Sequence, residues 1–145
     1  MNETIRRFGY PATLVVEHSH WIVLLRPAQP TLGSLVLAAK SEARAFSELD
    51  PGAFAELGKV VGDIETALRG ALDYARINYL MLMMVDPHVH FHVIPRYEGE
   101  RSAAGVTVRD AGWPKVPALQ EAVALEPARV TDLVDWLRSF WPSAR

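Results

Sequence analysis

INYLMLMMVDPHVHFHVIPR, residues 77–96, decides the reading of this chain. Ile77 to Met84 and Val89 to Ile94 are β-like runs, and Val85, Asp86 and Pro87 between them predict a tight connection joining adjacent antiparallel strands. His88, His90 and His92 alternate along the second run. In a strand, alternate side chains share a face about 7 Å apart, so three imidazoles are expected on one surface and Val89, Phe91 and Val93 on the other. Upstream, Leu14 to Val16, Trp21 to Leu25 and Leu35 to Leu37 read as three strands of a meander. Asp50-Pro51 is a helix start, and Phe54, Leu57, Val60, Val61, Ile64, Leu68 and Leu72 recur on one helical face, so a helix of about five turns should cover the sheet. Downstream, Glu98 to Gly112 reads as a surface loop. Glu126-Pro127 then opens a helix with Val130, Leu133, Val134, Leu137 and Phe140 inward. This order predicts one α+β domain over residues 1–145, a mainly antiparallel sheet packed against a long helix, with a C-terminal helix.

The chain's 145 residues, half of them apolar, suffice for one core. Fifteen lysines and arginines against 17 acidic residues leave a charge of −2, so no global basic field points to nucleic acid, and an anion site must be local. Cysteine is absent, which removes disulfides, thiolate metal sites and cysteine nucleophiles and fits a reducing compartment. The N-terminus lacks secretory-signal order and no apolar run reaches membrane-spanning length, so a cytoplasmic protein without a membrane partner is expected.

A cluster of neutral imidazoles has two chemistries open to it. Two histidines at alternate strand positions can hold zinc, which wants a third or fourth ligand, and Asp86 is the one carboxylate nearby in sequence. The other chemistry is attack on phosphorus. An imidazole with a pKa near 6.5 is largely neutral at pH 7 and nucleophilic without a strong base, while protonated neighbours can donate to phosphate oxygens. Spacing alone does not choose.

His88-Val89-His90-Phe91-His92-Val93-Ile94 resembles the alternating motif of the histidine-triad superfamily, and the following Pro95-Arg96 is similar to its diadenosine-polyphosphate-hydrolase-like branch. The similarity extends to Trp21–Leu37 and to Ile77-Asn78-Tyr79, giving a family-like core over residues 10–98 and a C-terminal extension over 99–145. The resemblance implies that His90 attacks the α-phosphate of an adenosine nucleotide conjugate, a dinucleoside polyphosphate such as diadenosine tetraphosphate or a phosphoramidate. His88 and His92 would orient it and stabilise phosphate and leaving group. It implies a homodimer, no metal and no cofactor. A nucleotide-binding regulatory protein with little turnover is the alternative, and a metal-dependent hydrolase a further one.

Three positions depart from the family pattern. Ser34 stands where many members have a fourth histidine, Arg26 where many have an Asp or Asn that holds ribose, and Met83-Met84 where the branch often has Gly-Asn. Ser34 can still hydrogen-bond, and Arg26 suits phosphate or carboxylate. With Arg96 and Asn78, these two complete the expected substrate contacts. His18 and His20 read as a solvated turn, Trp113 as packing with stacking on a base the alternative, and Met81, Met83 and Met84 as core and pocket lining.

Overall fold

A computed structural model describes residues 1–142 of the chain. Its elements in chain order are helix α1 (Glu3–Arg7), strands β1 (Leu14–Glu17), β2 (Trp21–Leu25), β3 (Ala28–Gln29) and β4 (Leu35–Ala39), helix α2 (Pro51–Leu72), strands β5 (Arg76–Leu80), β6 (His90–Arg96), β7 (Glu100–Ala103), β8 (Val106–Arg109) and β9 (Val123–Ala124), and helix α3 (Pro127–Arg138). Five strands form one sheet in the order β1-β2-β4-β6-β5, every pair antiparallel. The expected α+β architecture is the one observed.

Alternation assigns the two faces. Trp21, Val23 and Leu25 of β2, Leu35, Leu37 and Ala39 of β4, and Val93 of β6 meet Val60, Ile64 and Leu68 of α2 and Val130, Leu133 and Leu137 of α3 in one core. Each large side chain buried there stabilises the fold by about 1.5–3 kcal/mol relative to exposure. Ile22, Leu24, Val36 and Ala38 point the other way and form a smaller cluster with Ile5 of α1. Both sheet faces are thus apolar in β2 and β4, and only β6 carries histidines outward.

Asp50 caps α2 by accepting from the Gly52 amide at 2.7 Å, and Pro51 occupies the first turn, where its missing N–H costs nothing. Phe54 leaves the inward stripe predicted for α2. At 43% exposed it packs on Phe46 at 5.4 Å between ring centroids, while Ala53 beside it takes the buried position of the first turn.

Four further features differ from the sequence reading. The connection between β5 and β6 is the segment 81–89 and not a three-residue turn: Met83 adopts φ 48°, and the apolar run 81–85 leaves the sheet after Leu80. His88 precedes β6 rather than lying in it. Glu98–Gly112 holds the hairpin β7–β8, turned at Ala104 and Gly105 with φ 51° and 79°. Helix α1 has only 5 residues, too short for a periodic signal, and is held by its cap. Asn2 accepts from the Ile5 amide at 3.0 Å while its own amide donates to Ala39 and Ser41 carbonyls at 2.9 and 2.8 Å. That cap pins α1 to the end of β4, over the face that carries the histidines.

Candidate active site on the histidine face

His90 and His92 both lie on β6, with ring centroids 5.1 Å apart, and pair across the sheet with Ala38 and Val36. The ring of Phe8, just beyond α1, packs on both imidazoles at 5.5 and 5.7 Å, and all three histidines are buried. A cavity of about 190 Å³ lies over His90 and His92, walled by Leu82, Met83, Met84, Val85 and Asp86.

Hydrogen bonds fix the tautomers. His90 Nδ1 lies 2.7 Å from the His88 carbonyl oxygen, which can only accept, so Nδ1 carries the proton and the Nε2 lone pair is left for chemistry. His88 is anchored on both ring nitrogens. Nε2 meets Glu42 Oε1 at 3.2 Å and Nδ1 meets Thr4 Oγ1 at 2.8 Å, while the His88 amide donates to the same Thr4 oxygen at 3.3 Å. In the neutral ring, Nε2 therefore donates to the carboxylate and Nδ1 accepts the Thr4 hydroxyl proton. Thr4 and Glu42 hold the residue whose carbonyl orients His90.

His92 is set differently. Its Nδ1 accepts from Arg26 Nε at 3.3 Å, which puts the ring proton on Nε2. Burial above all, then the positive charge of Arg26 and the neighbouring His90, lower its pKa from 6.5 to about 4 against an opposing pull from Asp86. The sequence reading let flanking imidazoles act as cations. His92 is instead a neutral hydrogen-bond donor at pH 7.

The other expected contacts divide into two groups. Arg26 is at the site, and burial lowers its own pKa. Ser34 sits level with Arg26, whose amide donates to the Ser34 carbonyl at 3.0 Å, but its hydroxyl is fully buried and engaged with Thr31 through its carbonyl at 2.8 Å and its hydroxyl at 2.9 Å. Arg96 makes a two-pronged ion pair with Asp110 at 2.8 and 3.0 Å, and its remaining arm donates to Asn78 Oδ1 at 2.9 Å. Arg96 lies four residue steps along the strand from His92, about 13 Å. Arg96 and Asn78 line a different cavity of about 870 Å³, beside Trp113 and Lys115. Trp113 therefore walls a cavity and is not buried packing. Met84 is 85% exposed at the mouth of the histidine cavity, while Met81 and Met83 pack on the core. His18 and His20 do fall in the turn between β1 and β2.

Thr4, Phe8, Glu42 and Asp110 were not singled out from the sequence. Thr4 lies 84 positions from His88 and Glu42 lies 46 from it, so no local spacing connects them. Among the described residues, no group of three or more His, Asp or Glu side chains is arranged to hold a metal ion, and no helix is long and apolar enough to cross a membrane.

The family model for the HIT domain matches residues 9–99. A histidine triad protein from Sinorhizobium meliloti superposes with a TM-score of 0.73 at 20% identity, covering 97% of this chain and 95% of that one. A hypothetical histidine triad nucleotide-binding protein from Sulfolobus tokodaii gives 0.65 at 22% identity, covering 88% and 81%. The diadenosine triphosphate hydrolase of Plasmodium falciparum, solved with cyclomarin A, gives 0.67 at 9% identity, covering 90% and 76%. These identities establish a shared fold. No curated protein matches the sequence.

Proposed function

Because the chain belongs to the HIT domain family, we propose that it is a nucleotide hydrolase or transferase that attacks the α-phosphate of an adenosine nucleotide conjugate through His90. The observation that carries this reading is the 2.7 Å bond from His90 Nδ1 to the His88 carbonyl, which presents an unprotonated Nε2 toward the cavity. The Nε2 lone pair forms a bond to phosphorus as the bond to the leaving oxygen or nitrogen breaks and its electron pair departs with that atom. Water then attacks phosphorus, the N–P electron pair returns to Nε2, and the water's proton is released with the nucleotide. The neutral Nε2–H of His92 donates to a phosphate oxygen throughout.

A dinucleoside polyphosphate, as in the diadenosine branch, or a phosphoramidate fits this step, since attack on phosphorus leaves the leaving group open. Ligand pockets usually run to about 300–1,000 Å³. The cavity of about 190 Å³ holds the reacting phosphate region, and the base extends past Phe8 or the 82–86 segment. We read the protein as a cytoplasmic homodimer.

Replacing His90 by Asn removes the nucleophile and keeps a polar side chain of similar reach. Turnover of diadenosine tetraphosphate and of an adenosine phosphoramidate should fall more than about a thousandfold, with nucleotide binding retained. Intact-mass analysis after rapid quenching without acid should find adenylylated wild type and no adduct on the variant. A variant that turns over at the wild-type rate refutes the assignment. The second reading is a nucleotide-binding protein with little turnover, favoured by the engagement of the Ser34 hydroxyl within its own loop. Tight nucleotide binding with neither adduct nor product in the wild type selects it.

A further inference from the structure

The half-buried guanidinium of Arg26 has no acidic partner among the described residues. Its Nε donates to His92 Nδ1 and its Nη1 to the Ala28 carbonyl, while Nη2 has no partner among the described residues. Other basic side chains near this face are neutralised: Arg7 by Asp86 at 3.2 Å, Arg96 by Asp110 at 2.8 Å and Lys40 by Glu17 at 2.6 Å. A partly desolvated charge without a counter-ion is costly, and an anionic ligand is what offsets the cost.

The register places that charge. Ile22, Ala38 and His90 form one level across the sheet, and Leu24, Val36 and His92 the next. Arg26 continues from β2 to the level beyond, beside Ser34, and reaches back to His92 from the side away from His90. His92 therefore stands between the nucleophile and the cation. A phosphate under attack by His90 is met by the near side of His92, and the guanidinium faces whatever lies one group further on.

We propose that Arg26 forms a second phosphate subsite, so that the preferred substrate carries a phosphate besides the one His90 attacks. The inference rests on the nucleotide reading above and narrows it. The second phosphate follows the first in a polyphosphate chain or is carried on the ribose. Both sources present anionic phosphoryl oxygens to the free Nη2 edge.

The test is calorimetric binding of AMP, ADP and adenosine 3′,5′-bisphosphate to the full chain, as wild type, Arg26→Gln and Arg26→Lys. Wild type should bind ADP or the bisphosphate about tenfold or more tightly than AMP, as expected of a charge-assisted contact. Whichever ligand shows the gain identifies the source. Arg26→Gln should abolish the gain, so that ADP and the bisphosphate bind no more tightly than AMP whatever happens to AMP affinity itself, and Arg26→Lys should recover part of it. Equal wild-type affinity for all three ligands overturns the subsite and leaves the nucleotide reading standing. Equal weakening of all three in Arg26→Gln overturns it too, because Arg26 would then serve the first phosphate or the fold. Failure of all three to bind wild type removes both readings together.

Discussion

His92 shows how far the surroundings of one side chain alter its chemistry. Spacing made it one of three equivalent imidazoles, whereas burial and Arg26 hold its pKa near 4 against 6.5 for the free group. Unfolding releases it to the ordinary value, so the unfolded chain binds this proton first as pH falls. The contribution is complete above about pH 6.5 and is lost as pH drops toward 4. The urea midpoint of the wild type should fall across that window more steeply than that of His92→Gln, and parallel curves refute the account. His88 contrasts with it, since Thr4 and Glu42 engage both ring nitrogens and its carbonyl sets the tautomer of His90. Sequence gave all three histidines, while the division of labour came from partners distant in the chain.

Among the elements, α2 was the most legible, because Val60, Ile64, Leu68 and Leu72 repeat the helical period and Asp50-Pro51 marks the start. Helix α1 and the segment 81–89 were the least legible. One is too short to show a period, and the other is as apolar as the strand before it, so only its exit from the sheet distinguishes it. The turn before β4 depends on Gly33, with φ 85° and a position against the end of α2 where an added Cβ would lie 2.6 Å from Leu72 Cδ1. Gly33→Ala combines a strained backbone with that overlap and should destabilise the protein by about 1–3 kcal/mol. Because this turn also leads into the level of Ser34 and Arg26, the variant should weaken nucleotide binding as well. Chemical denaturation with a parallel binding assay checks both, and an unchanged midpoint contradicts the close packing.

At the scale of the molecule, the two outer edges of the sheet are treated differently. Arg138 of α3 donates to the carbonyls of Leu14 and Val15 at 2.7 and 3.2 Å, covering the edge at β1. The edge at β5 has no further strand among the described residues, and the cavity containing Trp113 and Lys115 opens beside it. Exposed sheet edges invite pairing with another chain. The homodimer proposed above should therefore appear in light scattering as twice the 16.1 kDa of one chain, and a mass of one chain at micromolar concentration refutes it.

The sequence by itself determined the α+β class, the main strands and two long helices, and the placement of His90 and His92 on one face, because these follow from periods of about two and 3.6 residues written locally in the chain. It also marked Arg26, Ser34, Arg96 and Asn78 as polar groups worth locating. Only the tertiary structure separated Arg26, left uncompensated beside His92, from Arg96, spent on Asp110 and Asn78, and only it brought Thr4, Phe8 and Glu42 to the histidines. The physical reason is that charge compensation, burial and tautomer depend on which atoms lie within a few ångströms. Those atoms come from residues whose separation along the chain carries no periodic signal.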